Sequence, residues 1–360
     1  MSRFFSILAL FFIPLFAFTE SESPKTKRVL HLTFNKAYAT EFTKIAKEFG
    51  CSVTNWLIPA LPPCFLDGVS SGNVLYNITH ERAQRIWDRH RATFESFDLI
   101  CVTDSTALSR IFLQNGYTKP LLVWICRPFD YADTSTLDGP FPDVEYYDLL
   151  LAARNLPNVT FVASSPYMLH YAGLRGMDFG DLIIPPCALN TSLRSTKKNG
   201  KFYVPPYHNE TTFMNLTTHL QKLGLDIYNG DLPRLFDLSG YKGVVHLPCD
   251  YSAASLFEHL SAGIIYFLPS PTLFEDLLTS KNYFHEQLNE LLDHQFSELS
   301  EWYDPARSEI FVYFDSWEDL IDKIHSLDYE AQKEKILAYM SEYQKEIKNR
   351  WQKLFQTLLP

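Results

Sequence analysis

Two kinds of apolar pattern alternate along this chain. Mainly apolar runs of five to seven residues, at Arg28–Phe34, Asp98–Asp104, Leu121–Cys126 and Val159–Ala163, read as strands buried on both faces. Between them, apolar residues recur at three- and four-residue spacing. That period predicts helices over Tyr38–Phe49, Thr79–Phe97, Ser105–Gln114 and Val144–Asn155, and another from Pro166 onward. Gly50 stops the first helix, and Thr79 is a fair N-cap for the second because its hydroxyl accepts from free first-turn N–H groups. Cys51–Leu57 and Leu182–Ile184 complete the predicted strands of this half. The same grammar then repeats, with strands at Lys201–Val204 and Asp226–Tyr228 and a helix over Thr212–Leu223 that Gly224 ends. A strand–helix–strand unit follows at 241–270, then helices near 271–279, 281–298, 316–326 and 329–357. Strands alternating with helices mean parallel sheets covered on both faces, so the prediction is an α/β protein with two Rossmann-like domains.

Length agrees with that division, since 360 residues exceed one ordinary core and suit two of about 150 residues each. The predicted boundaries are a first domain over 27–185, a Pro- and Ser-containing linker over 186–200, a second domain over 201–328 and a final helix over 329–360. That helix is expected to pack back on the first domain. A net charge of −10 argues against a nucleic-acid partner, because phosphate binding needs a basic face. The aromatic share of 15% is high enough to line a cleft as well as fill a core.

At the N-terminus, Arg3 precedes an apolar run from Phe4 to Phe18, broken only by Ser6, and a polar stretch follows it. Fifteen residues suit a signal peptide cleaved after Thr19 or Ser21, with a short type II membrane anchor as the alternative. Either implies the lumen of the secretory pathway, or secretion. Five Asn-x-Ser/Thr sequons, at Asn77, Asn158, Asn190, Asn209 and Asn215, accord with that route and make a glycoprotein the expectation. Six cysteines allow fifteen pairings, which spacing does not decide. No Cys-x-x-Cys or His-rich cluster suggests a metal site.

The segment Tyr241–Ser270 carries the most specific signal. Asp250 and Glu258 bracket a passage from loop to helix with seven residues between them, and the helix ends at Gly263 before a strand closing in Pro269. This pattern resembles the donor-sugar half of the two-Rossmann-domain (GT-B type) glycosyltransferases, many of which carry Glu-x7-Glu at the same place. Here Asp250 replaces the first Glu, and Gly263-Ile264-Ile265-Tyr266 replaces the usual Gly-Ile-Pro-Val. The resemblance implies two parallel sheets facing across a cleft, a long C-terminal helix, and a nucleotide-sugar donor as substrate with no further cofactor. It implies that Glu258 accepts from the ribose hydroxyls and that Asp250 meets the donor sugar. Metal independence is also implied, and the chain has no Asp-x-Asp, the motif by which single-sheet transferases hold a divalent ion.

Topology supplies the other candidates, because open α/β sheets hold ligands at the carboxyl ends of their strands. Ser252 and Ser255 lie where free helix N–H groups meet a phosphate. His208 and Glu210 leave the first strand of the second domain, and Asn229, Gly230 and Lys242 fall in a similar position, with Lys242 able to balance a diphosphate. Glycosylation at Asn209 conflicts with a cleft there and is not expected. In the first domain Asp104 ends a strand and begins a helix, as a general base for an inverting reaction or simply as the helix cap. Arg127 is placed to hold an acidic acceptor group or to pair with Asp130. His31 reads as a core histidine. The paired carboxylates favour retention over inversion. Two alternatives stay open: an exported solute-binding protein with a two-domain cleft, and a relative of the transferases that binds glycans without catalysis. The acceptor (glycan, protein or small molecule) is not legible.

Overall fold

The computed structural model describes residues 26–62, 64–68, 78–130, 143–189, 199–209, 214–231, 235–248, 251, 253–280 and 296–360. The apolar run Phe4–Phe18, the sequons at Asn77 and Asn190, most of the predicted linker, Glu210, Cys249, Asp250 and Ser252 lie outside those residues.

The first half is a parallel sheet of β1 (Lys27–Thr33), β2 (Cys51–Leu57), β3 (Leu99–Thr103), β4 (Leu121–Ile125) and β5 (Val159–Ala163), in the order β2-β1-β3-β4-β5. Every residue of β3 and β4 is buried, as continuous apolar strands with helices on both faces must be. The helices are α1 (Lys36–Glu48), α2 (His80–Phe94), α3 (Arg110–Leu113), α4 (Val144–Ala153) and α5 (Pro166–Leu174). Asn35 caps α1 through Ala37 N, and Thr79 caps α2 through Arg82 N. Leu182–Ile184, expected as a strand, makes only an isolated parallel bridge from Ile183 to Ala163. The expected helix at Ser105–Gln114 is tighter in its first turn, Thr106–Ser109, before α3 continues it.

The second half is a parallel sheet of β6 (Phe202–Tyr203), β7 (Ile227–Tyr228), β8 (Gly243–Val245), β9 (Tyr266–Pro269) and β10 (Val312–Phe314), in the order β10-β9-β8-β6-β7. Its helices are α6 (Leu216–Lys222), α7 (Leu235–Leu238), α8 (Ala254–Ser261), α9 (Pro271–Thr279), α10 (Phe296–Leu299) and α11 (Trp317–Ser326). Gly263 stops α8 with φ +74, and a Cβ added there would sit 3.4 Å from Leu337. Both sheets therefore reverse direction beside their first strand: between β1 and β3 in one, and between β6 and β8 in the other.

The last helix, α12 (Tyr329–Leu358), leaves the second half and returns to the first. Tyr343 stacks on Phe257 of α8 at 5.3 Å, and Gln344 bonds both Ser261 and the Ala188 carbonyl. Further along, Lys348 pairs with Glu48 and the Trp351 ring packs against Trp124 at 5.0 Å and Phe42 at 5.8 Å. One continuous apolar cluster consequently runs from Phe42 and Trp124 through Trp351 into Phe257 and Phe267. The start of the predicted linker belongs to this core, since Pro185–Ala188 are buried.

Candidate functional site

At the reversal point of the first sheet, Asp104 follows β3 with φ +70, the left-handed region that Asp and Asn tolerate better than most residues. It caps no helix. Its buried carboxylate accepts from Arg127 Nε at 2.8 Å, so two residues singled out separately in the sequence form one ion pair. Burial pushes the Asp104 carboxyl up, and the Arg127 guanidinium opposes that rise. Arg127 thus pairs with Asp104. Asp130 is held instead by the hydroxyls of Tyr147 and Tyr171, with Arg175 at 3.9 Å. Around this edge Thr106, Ser109, Ser164 and Ser165 are all buried, and their hydroxyls find no hydrogen-bond partner among the described residues. His31 lies behind them as a core histidine between Asn55 and Thr103, its pKa lowered by burial to about 3.

The second reversal point brings together two histidines. His208, beyond β6, and His246, one residue beyond β8, meet Nε2 to Nδ1 at 3.0 Å. Leu247 N donates to the same His208 Nε2, so that nitrogen carries a lone pair and His246 Nδ1 carries the proton between the rings. Burial holds His208 at about 3 and His246 well below the ordinary histidine range, so both are neutral at physiological pH. The Trp302 ring packs against His246 at 4.4 Å, its plane tilted by 45°. His208 is fully buried, which corrects its expected role as a direct contact: it braces the loop behind the surface.

The remaining candidates separate by edge. Ser255 is half-buried in the first turn of α8, and Glu258 is half-buried one turn later. Asn229 follows β7, the outer strand, and its amide bonds Thr217 at the start of α6; Gly230 adjoins it, packed close against the Tyr228 side chain. Lys242 is a correction. It immediately precedes β8, and its backbone N–H donates to Lys201 O before β6, so it stands at the amino edge, opposite the ligand-holding one. Its ammonium lies 5.7 Å from the centre of the Phe202 ring.

The two carboxyl edges face each other. Tyr167, at the start of α5, and Tyr251, beyond β8, stack across the halves at 3.5 Å with their planes 6° apart. Glu41 of α1 reaches the same interior. Its carboxylate accepts from Cys187 N at 2.5 Å and Ala188 N at 3.0 Å, holding Ala188 at φ +58. Burial raises the Glu41 pKa to about 7 against those two N–H groups, and the charge of Glu258 adds to the rise. Glu41 and His246 were not singled out in the sequence. The available signals were a lone acid in the apolar stripe Tyr38, Glu41, Phe42, Ile45, and a histidine just past a predicted strand.

The sequons divide in the same way. Asn215 caps α6 through its side-chain oxygen, whereas the Asn158 amide donates to the carbonyls of Tyr117 and Lys119, one of which a glycan would displace. The described cysteines, Cys51, Cys64, Cys101, Cys126 and Cys187, are free thiols.

No family model matches the chain, and no curated protein sequence matches it. Similar solved structures include the T4 phage BGT in complex with its UDP-glucose substrate, 10% identical over 93% of this chain and 100% of that one, with a TM-score of 0.48. The glycosyltransferase SnogD from Streptomyces nogalater is 9% identical over 90% and 98%, with a TM-score of 0.45. The calicheamicin glycosyltransferase CalG4 is 8% identical over 93% and 100%, with a TM-score of 0.42. With TM-scores below 0.5, the fold rests on this chain's own topology and not on the likeness. Two parallel five-stranded sheets with facing reversal points and a returning helix make this a two-Rossmann-domain fold of the GT-B type.

Proposed function

We propose that this protein transfers a sugar from a nucleotide-sugar donor, held at the carboxyl edge of the second sheet, to an acceptor held at that of the first. The observation that carries the reading is the facing of the two reversal points, with Glu258 of the Asp250-x7-Glu258 pattern half-buried between α8 and α1. That is the place the donor resemblance assigns to a ribose-binding carboxylate. The paired hydroxyls of a ribose suit it, because each O–H donates a charge-assisted hydrogen bond to a carboxylate oxygen. The diphosphate then falls to the N-terminal turn of α8, near Ser255, and to the backbone, without a metal. Retention is the proposed outcome, with Asp104 positioning Arg127 and not taking the acceptor's proton.

The strands of each half are consecutive in sequence, with one passage from β5 to β6 and a returning helix. Among the described residues neither sheet takes a strand from the other half, which supports a transferase over a solute-binding protein, whose crossings carry the chain back and forth between its domains. A thermal-shift series against UDP, GDP, UDP-glucose and UDP-N-acetylglucosamine tests the reading, since a ligand of the native state raises the melting temperature. Glu258→Ala is expected to weaken the donor that stabilises the wild type by about 1.5–3 kcal/mol, the range for a hydrogen bond to a charged group. Equal stabilisation of wild type and variant removes Glu258 from the donor site.

A further inference from the structure

Between α1 and α8 one chain of contacts joins the first half to the helix that carries Glu258. Glu41 of α1, only 4% exposed, accepts from Cys187 N with one carboxylate oxygen and from Ala188 N with the other. The carbonyl of Ala188 accepts from Gln344 Nε2 at 3.0 Å, and the same nitrogen donates to Ser261 Oγ at 3.1 Å. Ser261 ends α8, less than one turn beyond Glu258. Tyr343 closes the other side, its hydroxyl donating to the Pro186 carbonyl and its ring stacked on Phe257, the neighbour of Glu258. The passage out of the first sheet is thus held by Glu41 at one end and by α8 at the other.

Charge singles out Glu41 within this joint. Tyr38 of α1, Cys126 beyond β4, Cys187 and Tyr343 of α12 all feel its charge, and burial raises each of them, so they stay neutral near pH 7. Lys44 and Lys348 reach the passage from outside, where they bond the Leu189 carbonyl and Glu48. The charge that acts on Glu41 is that of Glu258. Two acids therefore oppose each other between α1 and α8, one buried and one half-buried at the proposed donor position.

We propose that Glu41 is a positioning residue for the donor: it sets α8 against the first half, and donor binding at Glu258 is coupled to a proton on Glu41. This rests on Glu258 as the ribose-binding carboxylate. A bound donor keeps Glu258 ionised and brings a diphosphate to the same helix, so an ionised Glu41 opposes binding and a protonated one does not. By linkage, the donor strengthens proton binding at Glu41 by the same factor. Glu41 itself touches no substrate.

Calorimetric titration of the full chain with UDP-glucose, UDP-N-acetylglucosamine and GDP-mannose tests this, because none of these diphosphate diesters titrates between pH 6 and pH 8. The donor that binds is expected to do so about threefold or more tighter at pH 6 than at pH 8, with proton uptake at pH 7 read from buffers of different ionisation enthalpy. Glu41→Gln should abolish both the difference and the uptake. Gln344→Met, at a half-buried position, should weaken the donor at both pH values and leave its pH dependence in place. Without nucleotide, Glu258→Gln should move the Glu41-dependent change in stability to lower pH, since it removes the charge that raises Glu41. The proposal is overturned if wild-type affinity is equal at the two pH values, if the difference survives Glu41→Gln, if Gln344→Met binds as the wild type does, or if the stability change stays in place. A stability change that moves while no nucleotide sugar binds refutes the sugar-transfer reading, and the positioning role with it.

Discussion

Glu41 ties α1 to the chain segment that leaves the first sheet, and the tie is sensitive to pH. Its folded pKa of about 7 stands above the ordinary 4.5, so between those values the folded protein keeps a proton the unfolded chain has lost. The stability it contributes is therefore full below pH 4.5 and falls as pH rises through 7. The loss is on the order of 3 kcal/mol. Glu41→Gln removes that titration, so the wild type should lose stability relative to the variant between pH 5 and pH 8, as read by denaturant unfolding; a constant difference would refute it. Asp104 allows a second test. Asn fits its left-handed backbone and its shape, so Asp104→Asn should fold. Activity should fall far less than the 10²–10⁴-fold typical of losing a general base, and a loss of that size in a cooperatively melting protein would make the reaction inverting. Asp104 was legible in the sequence because a strand end is a place that topology names. Its pairing with Arg127 was not, since an ion pair between two loops 23 residues apart follows from how the strands lie side by side and leaves no local spacing.

At the scale of elements, α12 does most of the joining. Trp351 is fully buried against aromatic rings of the first sheet and α1. Trp351→Ala should cost about 3–5 kcal/mol in denaturant unfolding, as for other large aromatic deletions. Trp351→Phe should cost much less, because the indole N–H has no acceptor among the described residues to lose. Long periodic segments such as α2, α11 and α12 stand within three residues of their sequence-based bounds, since amphipathic period and caps are local signals. The short second sheet was harder. β10 was missed because Ile310–Phe314 is a five-residue apolar run in aromatic-rich surroundings, and only pairing with β9 makes it a strand. Similarly, composition marked Pro185–Ala188 as linker, whereas Glu41, Tyr343 and Gln344 bury it, and none of the three is its sequence neighbour.

For the whole molecule, the Tyr167–Tyr251 stack is a direct contact between the two carboxyl edges beside the proposed site. A double-mutant cycle with Tyr167→Ala and Tyr251→Ala should give a coupling of about 0.5–1.5 kcal/mol, and additive effects would mean the rings do not hold the halves together. The two-domain plan was readable because alternating strands and helices specify parallel sheets; which surfaces face each other depends on contacts between residues more than 80 positions apart. The returning helix also sets an order of events during synthesis. Phe42 and Trp124 are complete early in translation, but Trp351, which covers them, is about 230 residues behind Trp124. At ~5–20 residues per second it reaches them some 10–45 s later, after the entire second domain has emerged. The first domain thus waits for the end of the chain with an aromatic face bare, and it is this interval, more than the finished fold, that would make a nascent chain depend on chaperones.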